Sequence, residues 1–489
     1  MGRIRYLFLS VLLCATAQAR SAYAGPFDLE DDDDKKKQEK KDDEKIEAAP
    51  AKDPLVLTKR KAYTLAECLS LSERNHPNLW VGRARLATYH AQLDEARWAP
   101  FFQWSTSATL GVIPKITGTP FYTAAPANLL STKFTDGLNP FLQFSINGYV
   151  PLFHFGKIDW ARRAGEAQVR VGEWDLERFR QEVRRDVRKA FYVIMGARDG
   201  RYLLNEVKSR LEKAIEGVQG KLDRGEAGVD ETDRIRLEVY RDQLLARGGT
   251  PDMLETNGMA ALRFMTGVQV NFDVPDEPLA RPEVNVAPVV SYLSAARLFR
   301  AEVGSARAGI AQRNANLELM RARLFPDIGI DLRASYSTAP MVVTQNNAWV
   351  VDYFNRFTYN GSLTARWNLD IMPGQARVNG AESQLEEARA WERLTVGNVG
   401  VEVESAYAAM LETRKREEMW ARAEKKAKGW IATIQDAIDL GTKDEGAIME
   451  PLRSYVDSRL NHIQALVEYY IALSELARVS GWDAAAPQK

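Results

Sequence analysis

The same succession of residues occurs twice in this chain, and that duplication limits the fold more than any other feature. Pro100 follows an amphipathic stretch ending Ala96-Arg97-Trp98, and Pro326 follows one ending Ala322-Arg323-Leu324. Glu166-Ala167-Gln168 corresponds to Glu382-Ser383-Gln384, and Val183, Val187 and Ala190 correspond to Val399, Val403 and Ala406. Gly225 corresponds to Gly441 at the same offset of about 216 positions. The copies close with Leu262-Arg263-Phe264-Met265-Thr266-Gly267 and Leu476-Ala477-Arg478-Val479-Ser480-Gly481. An ordered series of matches implies two copies of one supersecondary unit. The first is expected over residues 62–270 and the second over 291–482, with 271–290 as linker.

Within each copy the hydrophobic period changes. No proline occurs between Lys157 and Asp223, a stretch that as one helix would run roughly 100 Å. Leu204, Val207, Leu211, Ala214 and Val218 step by three and four, as do Val396, Val399, Val403, Ala406 and Met410. That is a coiled-coil seam. Shorter helices are expected at about 64–98, 230–266, 291–324 and 447–480, so that two end to end match one long helix. Gly248-Gly249-Thr250-Pro251 is expected to interrupt the second of them.

Four segments instead alternate with a period of two: 104–112, 142–152, 328–336 and 359–369. Leu142, Phe144, Ile146, Val150 and Leu152, for example, are interleaved with Gln143, Ser145, Asn147 and Pro151. Each has the length of a tilted transmembrane β-strand, with one apolar face and one polar face. The hairpins are expected at 101–153 and 327–371. Phe101, Phe102, Trp104, Phe141, Phe153, Phe155, Tyr336, Phe357, Tyr359 and Trp367 cluster toward strand ends in the manner of interfacial aromatic girdles. Four strands cannot close a barrel, and lipid tolerates no open sheet edge, so several chains must share one. Two chains would give a narrow barrel and three a lumen; strand count alone does not choose. The expected class is therefore an α+β membrane protein: coiled-coil helices forming a tube, four transmembrane strands per chain, and two internal repeats.

The remaining segments set the compartment. Arg3 and Arg5 precede an apolar run over residues 6–15, and Ala22-Tyr23-Ala24 reads as a cleavage site, so 1–24 is expected to be a signal peptide. Cleavage after Ala19 is the alternative. Cys14 lies inside the apolar run with Leu13 before it, which does not suit a lipid-anchored cysteine. Cys68 is then the one cysteine left after processing. Residues 25–61 form an arm rich in blocks of Asp and Lys, expected to be disordered because it has too little apolar surface to offset ordering. Residues 483–489 form a short tail. With 66 basic and 66 acidic residues, net charge gives no argument for nucleic acid.

Three stretches carry a family resemblance: Thr64-Leu65-Ala66-Glu67-Cys68-Leu69 leading to Asn75-His76-Pro77, Ala311-Gln312-Arg313-Asn314-Ala315-Asn316-Leu317 leading to Leu324-Phe325-Pro326, and Glu450-Pro451-Leu452-Arg453-Ser454-Tyr455 leading to Ala477. Over residues 62–482 the chain resembles the TolC-like outer-membrane efflux factors. The resemblance implies a homotrimer with a twelve-stranded barrel in the outer membrane and an α-barrel in the periplasm. It implies a passive exit duct for drug efflux or type I secretion, joined through a periplasmic adaptor to an inner-membrane transporter. It also implies that the helix-to-helix turns, Gly225 with Gly441 and Thr442, receive the adaptor. Glu450 falls where the family carries an acidic constriction residue.

The site residues follow from conduction. Asp331, Arg333, Arg366 and Asp370 are expected on or just past the polar strand faces, lining the lumen or pairing with one another. Asp230, Asp233, Asp444, Glu445 and Glu450 are acids at the turns, either a periplasmic gate or plain helix-start electrostatics. Pro100, Pro151, Pro326 and Pro373 mark the swivel between strands and helices. No enzyme constellation is present: the four histidines, His76, His90, His154 and His462, lack metal spacing, and no phosphate loop occurs, so no cofactor is expected. A periplasmic coiled-coil adaptor without a barrel is the runner-up. It would leave the four alternating segments unexplained.

Overall fold

Thr64 opens the described part of the chain with a capping box: Glu67 N–H donates to Thr64 Oγ1 (3.3 Å), and the Glu67 carboxylate accepts from Thr64 N–H (2.9 Å). The computed structural model describes residues 61–101, 103–114, 137–224, 230–342, 351–443 and 445–487. The expected signal peptide, all of the charged arm but Lys61, Phe102, Gly225 and Asp444 lie outside the described residues, as does the Glu445 side chain. Residues 1–59 form a separate unit from 60–489.

After strand β1 (Lys61–Ala62) come helices α1 (Leu65–Asn75) and α2 (Pro77–Trp98), strands β2 (Gln103–Pro114) and β3 (Leu138–Phe153), and the long α3 (Lys157–Asp223). Then follow α4 (Glu231–Thr266) and β4 (Phe272–Asp273). The order then runs α5 (Val289–Phe299), α6 (Ala301–Ala322), β5 (Asp327–Thr338), β6 (Arg356–Arg366), the long α7 (Ile371–Asp439), a 3-10 turn (Glu445–Ile448) and α8 (Met449–Ser480).

Two of the expected helices are each divided. His76 has extended backbone (φ −66°, ψ 127°) because Pro77 excludes the α region from its predecessor; Pro77 then starts α2 at the position where a missing N–H is harmless. Arg300 is likewise extended (φ −68°, ψ 125°), separating α5 from α6. The expected interruption at Gly248-Gly249-Thr250-Pro251 does not occur: α4 is one helix with Pro251 inside it. The reason is packing on both sides of the proline. Leu237, Tyr240 and Leu244 bury against Leu203, Leu204, Val207 and Leu211 of α3, and Met259, Leu262 and Met265 bury in a cluster with Ile194. One partner helix holds both halves in line, and this tertiary contact overrides the local propensity.

Each long helix is flanked along its length by shorter ones. Gly165 and Gly172 of α3 face Leu93, Leu86 and Tyr89 of α2, and Trp174 lies on Gly304 of α6. A methyl group at Gly304 would sit 2.3 Å from the Trp174 ring, so the approach requires glycine. Further along, α3 packs on α4 and α8 through Leu452 and Val456. Leu317 of α6 meets Val378, Ala381 and Leu385 of α7.

Midway along α3 the seam changes from apolar to charged. Arg188 donates to the Asp483 carboxylate (2.7 Å), and Arg184 pairs with Glu73 (2.6 Å). Arg198 holds Glu255 (2.8 Å), Asp273 and the Val274 carbonyl (2.6 Å), while Asp199 accepts from Leu279 N–H (2.9 Å). Arg300 bonds Glu302, Glu402 and the Val479 carbonyl. These pairs fix the 267–288 connection and the parallel β1–β4 pair to the helices. Cys68 is fully buried here, and burial pushes its thiol up to about 12, so it is an inert core residue.

Burial alone would raise the Asp483, Glu302, Glu475 and Glu424 carboxyls; their arginine and histidine partners outweigh it and hold all four below the ordinary carboxylate range. Such a group binds its proton more tightly when unfolded. Its stabilisation is complete above the unfolded pKa and disappears as pH falls through the lower folded value. Asp199, raised by burial, acts in the opposite sense, losing its contribution as pH rises through its folded pKa. The lowered carboxyls outnumber the raised one and set the direction. The melting temperature of the purified protein should fall as pH drops below roughly 4, and Asp483→Asn should weaken that dependence while lowering stability at pH 7. A melting temperature unchanged between pH 6 and pH 3 would contradict this assignment.

Candidate functional site

The four strands form one antiparallel sheet in the order β2-β3-β5-β6. All four run somewhat longer or shifted relative to expectation; β6 ends at Arg366 rather than 369. Trp367 leaves the ladder because its indole N–H donates to the Leu324 carbonyl (2.9 Å) at the end of the preceding helical segment.

The register brings like residues into rows. Thr106, Ile146, Ala334 and Tyr359 stand side by side, as do Ala108, Phe144, Tyr336 and Phe357. Trp104, Gly148, Leu332 and Gly361 form another such row, in which the Trp104 ring covers Gly148 so closely that a methyl there would come within 2.6 Å. This face is open to its surroundings: Trp104 is 53% exposed, Leu110 80%, Tyr359 80% and Leu363 72%. On the other face Ser105, Asn147, Arg333 and Asn360 share a row, and Ser107, Ser145, Ser335 and Thr358 the next. The Ser107–Ser145 and Ser335–Thr358 hydroxyls are bonded at 2.7 Å. Tyr359 sits three residues into its strand rather than at the end, whereas Phe153, Phe155 and Phe325 do cluster where strands meet helices.

Among the described residues, β2 and β6 have no strand on their outer sides. No described helix is long and apolar enough to cross a membrane, and no described group of histidine, cysteine and carboxylates could hold a metal.

The predicted lumen residues separate into two groups. Asp331, Arg333 and Arg366 share the polar face. Arg366 donates to the Asp331 carboxylate and lies over the Tyr149 ring at 4.5 Å, a partner that sequence reasoning did not identify. Asp370 is not with them: it precedes α7 and pairs with Arg377 (2.8 Å).

The prolines also divide. Pro100 lies in the turn after α2, Pro326 directly before β5, and Pro373 in the first turn of α7. Pro151, expected at the strand-to-helix handover, lies inside β3 instead, next to a register shift between Pro151 and Phe153. Pairing with β2 ends at Tyr149, so at Pro151 the strand has a neighbour on one side only and a missing donor is tolerated. The handover is made by Phe155 and Gly156, and Lys157 fastens it across the two hairpins, reaching the Phe325 carbonyl and the Asp327 carboxylate, each at 2.8 Å.

At the opposite helix ends, Gly441 has φ +69° and terminates α7. Gly441 N–H donates to Ile438 O (2.8 Å) and Thr442 N–H to Ala437 O (2.9 Å), the five-to-two and six-to-one bonds, respectively, of a Schellman cap. A β-carbon at Gly441 would meet nothing within 4 Å, so this turn is sterically open. Asp230 precedes α4 and accepts from Thr232 Oγ1 (2.9 Å); Asp233 pairs with Arg236 (3.4 Å). A methyl at Gly446 would lie 3.4 Å from Asp233 Oδ1, so the start of α4 and the 445–448 turn adjoin. Glu450 is exposed in the first turn of α8, beside buried Pro451.

Residues 292–482 match the family model of outer membrane efflux proteins. The fold is that of the TolC-like outer-membrane efflux channels. The structure superposes on the outer-membrane channel OprN with a TM-score of 0.67 at 16% identity, covering 85% of this chain and 89% of that one. The CmeC outer membrane channel of Campylobacter jejuni gives 0.65 at 15% identity, covering 86% and 85%. The open state of the MtrE outer membrane channel of Neisseria gonorrhoeae gives 0.67 at 14% identity, covering 87% and 91%. No curated protein sequence matches the chain. The resemblance in short motifs therefore coincides with a shared fold at low identity, and the segment that matches the family model is about two-fifths of the chain, beginning within α5.

Proposed function

We propose that this chain is the outer-membrane exit duct of a tripartite efflux pump or type I secretion system. Three copies, each giving four strands, close a twelve-stranded barrel, and their helices continue as an α-barrel in the periplasm. The observation that carries this reading is the sheet. It exposes an apolar face, keeps serines, asparagines and charges on the other, and has no strand on either outer side among the described residues. Joining β6 of one copy to β2 of the next satisfies the backbone groups that hydrocarbon leaves without partners. In this assembly Asp331, Arg333 and Arg366 face the lumen, with Asp331 and Arg366 mutually neutralised. Pro100, Pro151, Pro326 and Pro373 mark the passage between barrel and tube. The duct has no energy source of its own; an inner-membrane transporter supplies it through a periplasmic adaptor.

The assembly is tested directly by mass. The protein extracted in detergent should sediment as a trimer and keep its β-content. A monodisperse monomer with that content would overturn the shared barrel.

The turns at Gly441 and Thr442, with Gly225 in the other copy, are the adaptor's docking points in this reading. A β-carbon at Gly441 meets nothing within 4 Å, so the known structural cost of a substitution there is that of its φ of +69°. Gly441→Trp should abolish export while the trimer still inserts. Export at the unaltered rate would remove docking from this turn.

Glu450, with Asp230, Asp233, Asp444 and Glu445, forms the acidic ring of the periplasmic gate, each acid repeated by symmetry. In planar bilayers Glu450→Gln should weaken block by divalent cations and reduce cation preference, the trimer being unchanged. If conductance, selectivity and divalent sensitivity all stay as before, Glu450 serves only the start of α8, where an acid is favourable by about 0.3–1 kcal/mol.

A further inference from the structure

Charge is sparse in the sheet. Along its strands the charged residues are Asp327, Asp331, Arg333, Arg356 and Arg366, and β2 and β3 carry none. All of them stand on the polar face. Asp327, Asp331 and Arg333 share one parity along β5, and the register sets Arg366 opposite Asp327 and Arg356 opposite Ser337. Both acids are matched. The Asp331 carboxylate accepts from Arg366, and Asp327 pairs with Lys157 at 2.8 Å. Arg333 and Arg356 are exposed, and among the described residues neither has a carboxylate within ion-pair distance.

Hydration of the polar face does not account for these cations. Arg333 stands in a row with Ser105, Asn147 and Asn360, and the row beyond it is made of hydroxyls. Amides and hydroxyls keep such a face wet without any charge. They also cannot neutralise a guanidinium, so the charge of Arg333 remains. Arg356 lies two rows further from the helices, about 14 Å along the strand direction. The polar face therefore ends with its acids spent and two arginines uncompensated among the described residues.

We infer that Arg333, with Arg356 nearer the far end of the sheet, sets the charge preference of the barrel and favours anionic over cationic solutes there. The inference rests on the duct reading above. Threefold repetition turns each arginine into a ring of positive charge around a water-filled lumen. Walls of low dielectric concentrate that field in the water, where it draws anions in and repels cations. The ring lies in series with the acids proposed at the turns, so the two ends of the duct carry opposite preferences. The solutes favoured in the barrel are those bearing a carboxylate, sulfonate or phosphate group.

The test is the reversal potential of the purified protein in planar bilayers under a potassium chloride gradient. The readout is the shift between variants, because a gate in series contributes equally to each. Arg333→Gln should shift the reversal potential toward that of potassium, and adding Arg356→Gln should shift it further. Arg333→Lys should keep the unaltered value, since charge and not the planar fork sets the preference. Asp331→Asn, which leaves Arg366 uncompensated, should shift it toward chloride. The shifts should be large near 0.1 M salt, where the screening length is about 10 Å, and fade near 1 M, where it is about 3 Å. Pores that conduct with one reversal potential in the unaltered protein, the double variant and Asp331→Asn would overturn this inference and leave the duct standing. Protein that inserts and never conducts would overturn both.

Discussion

Every backbone N–H and C=O that leaves water must find a partner, and among the described residues none pairs with the outer edges of β2 and β6. In water such edges are an aggregation hazard; in hydrocarbon they are prohibitive. The sheet itself offers no internal remedy. Its polar face pairs serine with serine and Asp331 with Arg366, so that face is arranged for a wet interior. Its apolar face exposes Leu110, Tyr359 and Leu363. In the proposed duct the partner of each open edge is another copy of the same sheet. The oligomer in the proposed duct follows from that backbone requirement before any family likeness is considered.

The helices face a different requirement. An α-helix of 67 residues cannot be held by its own backbone alone, since tertiary packing supplies most helical stability in a folded protein. Along α3 the seam therefore changes character with its neighbours. Glycines let α2 approach closely, arginines reach the 267–288 connection and Asp483, and leucines and valines meet α4 and α8. At the sheet end, Lys157 ties the first hairpin's helix to the second hairpin's strand. The prolines flanking that region therefore act in a junction already fastened across the two halves of the chain.

Much of this was legible from residues alone, because period decides geometry. The long helix was bounded at Lys157 and Asp223 by its uninterrupted pattern, and the alternating segments met in rows because side-chain period fixes both face and register. What was not legible depended on contacts distant in sequence. Pro251 reads locally as a helix stop, yet one partner helix holds both sides of it. Arg300 carries no local signal for a break; its guanidinium is committed to Glu302, Glu402 and Val479 O, groups brought in from two other helices. Trp367 reads as a strand residue by alternation, and a single indole hydrogen bond to Leu324 O turns it out of the ladder. Of the candidate site, Asp331 and Arg366 were placed on one face by parity, while the contact of Arg366 with Tyr149 was hidden because parity fixes a face and not which side chains on it touch. The arginines at 184 and 188 could have been noticed: they stand at helical spacing with Val183 and Val187, where a seam would otherwise carry apolar residues.

The distribution of ion pairs along the helices gives the proposed duct a mechanical asymmetry. At the turns the charges are exposed and local. Glu231 with Arg234 and Asp233 with Arg236 lie one helical turn apart, and such exposed pairs contribute little. At the middle of α3 the arginines are buried and their pairs join distant segments: Arg188 with Asp483, and Arg198 with Glu255 and Asp273. Removing one partner there strands a charge at a cost of about 3–5 kcal/mol. A displacement of the helix ends therefore meets little resistance at the turns and much at the middle. In the proposed duct, motion that opens a gate would therefore be taken up first near the turns, where Leu211, Val218 and Leu237 make aliphatic contacts, and would be resisted where Arg198 and Arg201 join α3 to Glu255 of α4.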